Sequence, residues 1–212
     1  MLKKSVVIGA HKFRKNRPVP TEYKSIVFLC LFVCGVVFGV MLSSKGNESW
    51  HSAFGTLIKN HLTAKQGSSL LVNFCGAFTP LLVLLVYDYV FGMCGVGTMF
   101  LHLTPIVLGV LSGVCGAEFY HQLALEGLVY WCCVNIPCNA IAAASLIKCC
   151  CYGSELSNYV FSVLIYPKTE RKEGVLKEYT LNFLVMTLPI ALGSMLNAIT
   201  FMLVGKLFSF LS

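Results

Sequence analysis

The chain has 212 residues, of which 57% are hydrophobic and only 12% charged. That is about half the charged share of an ordinary soluble domain, which argues against a soluble enzyme, a disordered chain or a secreted disulfide miniprotein. The net charge of +7 therefore bears first on which side of a bilayer the basic residues occupy, and a nucleic-acid partner is not expected.

Apolar patterning predicts an all-α membrane protein, a bundle of about five transmembrane helices. The predicted spans are 25–42, 69–91, 93–117, 127–147 and 180–204. The first is preceded by a basic segment, residues 1–24. Its Val40-Met41-Leu42 end lacks the small residues of a cleavage site, so a retained anchor is expected. Spans two and three are nearly continuous, and their reversal is expected at Gly92, Gly95 and Gly97. With the N-terminus inside, twelve basic residues face the cytoplasm and four the outside, which predicts N-in and C-out.

Between spans one and two, Trp50, Phe54, Leu57, Ile58 and Leu62 share one helical face. They predict an outer amphipathic helix, packed on its own bundle or offering Trp50, Phe54, Leu57 and Ile58 to a partner. The inner loop, residues 148–179, carries a second amphipathic stretch through Leu156, Tyr159, Val160, Val163 and Leu164, ended by Pro167. The charged run from Lys168 to Glu173 is expected to face water.

Each of the last four spans contains a proline, Pro80, Pro105, Pro137 or Pro189, and each is expected to kink its helix. Small-x3-small patterns at Gly35/Gly39, Gly109/Gly113 and Ser112/Gly116 predict close helix packing, with Gly35 and Gly39 also offering a lipid-facing groove to another helix. His102, Asn135 and Asn139 are the candidate polar core, a satisfied interior or the lining of a solute path. Asp88, between Tyr87 and Tyr89, reads as an interfacial, solvated residue. The 11 cysteines follow the apolar spans as small hydrophobes, and Cys149-Cys150-Cys151 falls just inside span four, where S-acylation occurs in eukaryotes.

No catalytic template is present. HExxH, GxSxG and P-loop strings are all missing from the sequence. The pair Glu118 and His121 has di-iron spacing, but a single copy does not make such a site. No catalytic residue, metal or cofactor is expected.

The pattern of glycines and prolines resembles the stage II sporulation protein M family of endospore-forming bacteria over roughly residues 24–208. The resemblance is carried by Phe32-Val33-Cys34-Gly35-Val36-Val37-Phe38-Gly39, by Phe91-Gly92-Met93-Cys94-Gly95-Val96-Gly97, and by Gly109 and Gly113. It continues through Gly127-Leu128-Val129-Tyr130, Ile136-Pro137, Glu155-Leu156-Ser157-Asn158 and a last span closing near Leu207. The cysteine content departs from that family. The resemblance implies a non-catalytic scaffold in the mother-cell septal membrane. Its partners would be the stage II sporulation proteins D and P, which degrade peptidoglycan during forespore engulfment. The alternative from the residues alone is a small-solute transporter or channel around His102, Asn135 and Asn139.

Overall fold

The computed structural model describes residues 21–66, 68–165 and 174–204. The basic leader before Thr21, the charged run from Lys168 to Glu173 and the tail with Lys206 and Leu207 lie outside the described residues, as do the side chains of Ile58, Lys59, Leu62 and Lys65. The described chain is α-helical: α1 (Thr21–Ser44), α2 (Glu48–Gln66), α3 (Leu70–Gly92), α4 (Gly97–Leu101), α5 (Leu103–Val134), α6 (Ile136–Ile165) and α7 (Val175–Val204).

Five helical stretches are long and apolar enough to cross a membrane. Their outward faces stay apolar: Leu71 is 71% exposed, Val83 62% and Leu184 70%. A water-soluble bundle would bury such rows. The protein is a multi-pass membrane protein of the all-α class.

α1, α6 and α7 are longer than hydropathy alone indicated, and two connections differ in kind. Residues 118–126, expected as a loop, are helical on both sides of a sharp reversal within α5. Ala124 takes φ 50° and ψ −133°, the sole non-glycine with positive φ among the described residues. Across this reversal Phe119 meets Tyr130 at 5.6 Å, and a Cβ on Gly116 would lie 3.2 Å from Trp131. Residues 116 and 131 would be about 22 Å apart on one straight helix, so α5 is a hairpin of two arms, 103–123 and 125–134.

The second correction concerns the inner amphipathic stretch. Leu156, Tyr159 and Val160 belong to the last turns of α6, continuous with span four, rather than to a separate loop helix. Likewise α7 begins at Val175, five residues ahead of the expected 180.

Two of the four prolines break their helices. Pro105 and Pro137 sit in the first turns of α5 and α6, just after the breaks at His102 and Asn135, while Pro80 and Pro189 lie inside unbroken α3 and α7. At the α3–α4 reversal, a Cβ on Gly97 would run into the Phe91 carbonyl, so only glycine fits.

Close backbone approach sets the arrangement of α1 and α5. A Cβ on Gly35 would lie 2.6 Å from the Ile106 carbonyl and 3.2 Å from the Gly109 Cα. The helices run parallel, pairing Phe28 with His102 at one end and Ser43 with Glu118 at the other. The Gly35/Gly39 groove is therefore filled by the first arm of α5, and the expectation that it faces lipid does not hold. α6 is the central helix. Its Leu146, Cys149 and Leu156 join Leu85 of α3 and Tyr179, Phe183 and Ile190 of α7 in the largest apolar cluster.

Two substitutions test this packing by thermal unfolding in detergent. Gly109→Leu, which forces a large side chain between α1 and α5, is expected to destabilise by at least about 3 kcal/mol. Ala124→Gly relieves a conformation that L side chains disfavour and is expected to stabilise by about 1 kcal/mol.

Candidate functional site

Two carboxylates are fully buried, one toward each end of the bundle: Glu118 on α5 and Asp88 on α3, each 0% exposed. Ionisable groups at such positions in a membrane protein mark candidate functional sites.

Glu118 joins three helices. Ser43, in the last turn of α1, donates its Oγ hydrogen to Oε1 at 2.7 Å. The His51 Nδ1–H, from the first turn of α2, donates to both carboxyl oxygens at 3.1 and 3.2 Å. One helical turn beyond Glu118, the Gln122 amide donates to the His51 carbonyl at 2.9 Å. His121 stacks on the His51 ring, with centroids 4.0 Å apart and planes 3° from parallel. Helical periodicity explains the set: residues 118, 121 and 122 are i, i+3 and i+4, one face of the first α5 arm. That face meets α2 where it crosses the end of the bundle.

α2 presents the expected docking residues in unequal ways. Trp50 is 36% exposed and lies against Phe54 at 4.7 Å, over the α1–α2 turn at Gly46. Leu57 is 61% exposed. Phe54 and Leu57 both border a cleft beneath the helix. The side chain of Ile58 lies outside the described residues.

That cleft has a volume of about 690 Å³ and runs between the arms of α5, from Leu108 and Asn139 up to Phe119, with α2 as its roof. A second cleft of about 530 Å³ adjoins it through Ser112 and Trp131, with His51 and His121 at its rim. Asn135 and Asn139 line the larger cleft, and the Asn197 amide donates to the Asn135 Oδ1 at 3.3 Å. His102 lines neither. It sits between α4 and α5, against Phe28 at 4.9 Å, with Nδ1 at 2.6 Å from the Thr98 carbonyl. The three residues of the expected polar core do not form one cluster. Among the packing glycines, Gly35, Gly39, Gly109 and Gly113 line the α1–α5 contact, whereas Gly116 faces Trp131 instead.

Asp88 departs from the solvated, interfacial position expected of it. Thr104 donates to Oδ1 at 2.6 Å and the Cys150 thiol to Oδ2 at 3.4 Å. Tyr179 closes the site by donating to the carbonyls of Tyr89 at 3.0 Å and Asp88 at 3.4 Å. The ion pairs among the described residues are Lys24–Glu155 and His51–Glu118, neither of which reaches Asp88. Cys149, Cys150 and Cys151, 0%, 0% and 2% exposed, are core residues and offer no thiol to an acylating enzyme. Nearby, Ser157 of α6 donates to the Cys94 carbonyl at 2.7 Å and accepts the Thr98 amide at 3.0 Å, binding the α3–α4 turn.

Among the described residues, no three His, Cys, Asp or Glu side chains group as a metal site. Comparison with protein-family models, curated proteins and solved structures finds no match for this chain.

Replacing Glu118 by Ala strands the Ser43 hydroxyl and the His51 ring. Loss of these charge-assisted bonds is expected to cost about 2 kcal/mol of α2 docking, a roughly thirtyfold rise in its undocked population. Faster tryptic cleavage at Lys45 of the detergent-solubilised protein reads that change. Maleimide labelling of the folded protein is expected to spare Cys149, Cys150 and Cys151. Labelling of those three as fast as that of Cys133 contradicts their placement in the core.

Proposed function

We propose that the protein is a non-catalytic membrane scaffold that holds partner proteins at one end of its bundle through α2. The carrying observation is the Glu118 clamp: one buried carboxylate fixes the crossing helix α2 to both α1 and α5, while leaving Trp50 and Leu57 exposed. A helix hydrogen-bonded to two others that keeps a tryptophan exposed offers an aromatic anchor for a partner interface.

The basic-residue bias supports an orientation with α2 on the outer side, N-terminus in and C-terminus out. The end opposite α2 holds Lys24, Lys148 and Lys177. With the resemblance to the sporulation family, this reading makes the partners the peptidoglycan-degrading stage II sporulation proteins D and P. The location is then the mother-cell septal membrane during engulfment. Phe54, turned toward the cleft, supports the seat of α2 rather than the partner surface. Since α5 fills the Gly35/Gly39 groove, that groove is not open to a partner helix.

A second reading, a solute pathway, draws on Asn135 and Asn139 in the larger cleft. His102 gives it no support from where it lies.

The scaffold reading predicts that Trp50→Glu with Leu57→Glu abolishes co-purification of the wall hydrolases and septal localisation, while the protein still inserts and folds. Retention of both, with normal expression, assigns docking to another surface.

A further inference from the structure

We infer that the larger cleft between the arms of α5 is a lipid site, holding one acyl chain of a bilayer phospholipid from the leaflet on the α2 side. The cleft lies among membrane-spanning segments and is walled mainly by apolar side chains, among them Phe32, Leu108, Leu111 and Trp131. Leu111 is 56% exposed, so the cleft opens on the side of the bundle toward the surrounding acyl chains. An apolar void at that depth forfeits dispersion contacts along its whole wall, and the fluid around it is hydrocarbon.

Its length fits one acyl chain. From Leu108 to Phe119 the wall of α5 spans 11 residues, about 16 Å. That is about half of a 30 Å hydrocarbon core, the depth of one leaflet. The roof is polar where a head group would emerge: Asn60 of α2 borders the cleft, and His51 and His121 border the adjoining one. α2 then does two things at once. It carries the exposed face proposed for partners, and its Phe54 lies over the cleft.

The lipid site stands independently of the scaffold reading, and its test needs no partner. A photo-crosslinking amino acid placed at Asn139, half-buried on the cleft wall, is activated in native membranes, and the product is weighed. An added mass of one phospholipid is expected. A product carrying a second polypeptide, whether another copy or a partner helix, overturns the assignment.

The detergent-purified protein is also measured by native mass spectrometry after exchange into lipid-free detergent. One retained phospholipid per chain is expected. Ser112→Phe, which narrows the cleft, should reduce its occupancy at least tenfold. Val83→Phe, on an outward face of α3, should leave it unchanged. If Ser112→Phe does not fold, Cys115→Phe on the same wall replaces it. Absence of retained lipid in the unaltered protein, or equal retention in the narrowed and unaltered forms, refutes the site.

Discussion

The approach of α1 to the first arm of α5 fixes the placement of most other groups in this protein. In hydrocarbon there is little hydrophobic gain from joining two helices, so contact must come from backbone fit. Glycines at 35 and 109 permit it, and the parallel register they impose carries through the full length of both helices. At one end it lays Phe28 on His102. At the other it delivers Ser43 to Glu118. A shift of one helical turn along this seam would move Ser43 about 5 Å and leave a buried carboxylate short of a donor.

The two buried carboxylates show different solutions to the same desolvation cost. Glu118 has an imidazole as well as a hydroxyl. Asp88 has a hydroxyl and a thiol. A buried carboxylate is costly unless its oxygens are well hydrogen-bonded. The two also serve different geometry. Glu118 ties a surface-crossing helix to the bundle, whereas Asp88 joins α3, α5 and α6 beneath the α3–α4 turn. Its surroundings, Tyr179 and the cysteine triplet, are buried.

The spans were legible because apolar runs are a local signal, and the glycine spacing announced close packing. The choice of helix against which Gly35 packs was not local information. The reversal at Ala124 gave no sign, since alanine has no preference for positive φ and a helix former stood where a loop residue was expected. Asp88, set between tyrosines, carries the same local pattern as an interfacial carboxylate. Its burial depends on Thr104 and Cys150, brought from other helices. The sequence spacing of Glu118 and His121 drew attention toward metal chemistry. The chemically important neighbour was His51, 67 residues away. Residues 148–179 read as an inner loop with an amphipathic stretch. Ser157, in that same stretch, instead binds the α3–α4 turn.

The clamp and the cleft are mechanically linked. The carboxylate that fixes α2 stands on the same arm of α5 that walls the cleft, and Phe54 and Leu57 lie within two turns of His51. Any tilt of α2 about its His51 contact changes the roof over the cleft. Occupancy of the cleft and the position of the exposed α2 face therefore draw on one equilibrium, and a ligand favouring the closed roof also favours one presentation of Trp50 and Leu57. By the same linkage, a partner that seats α2 in that position strengthens retention of the chain beneath it. On the proposed scaffold reading, this coupling makes partner presentation sensitive to the surrounding lipid.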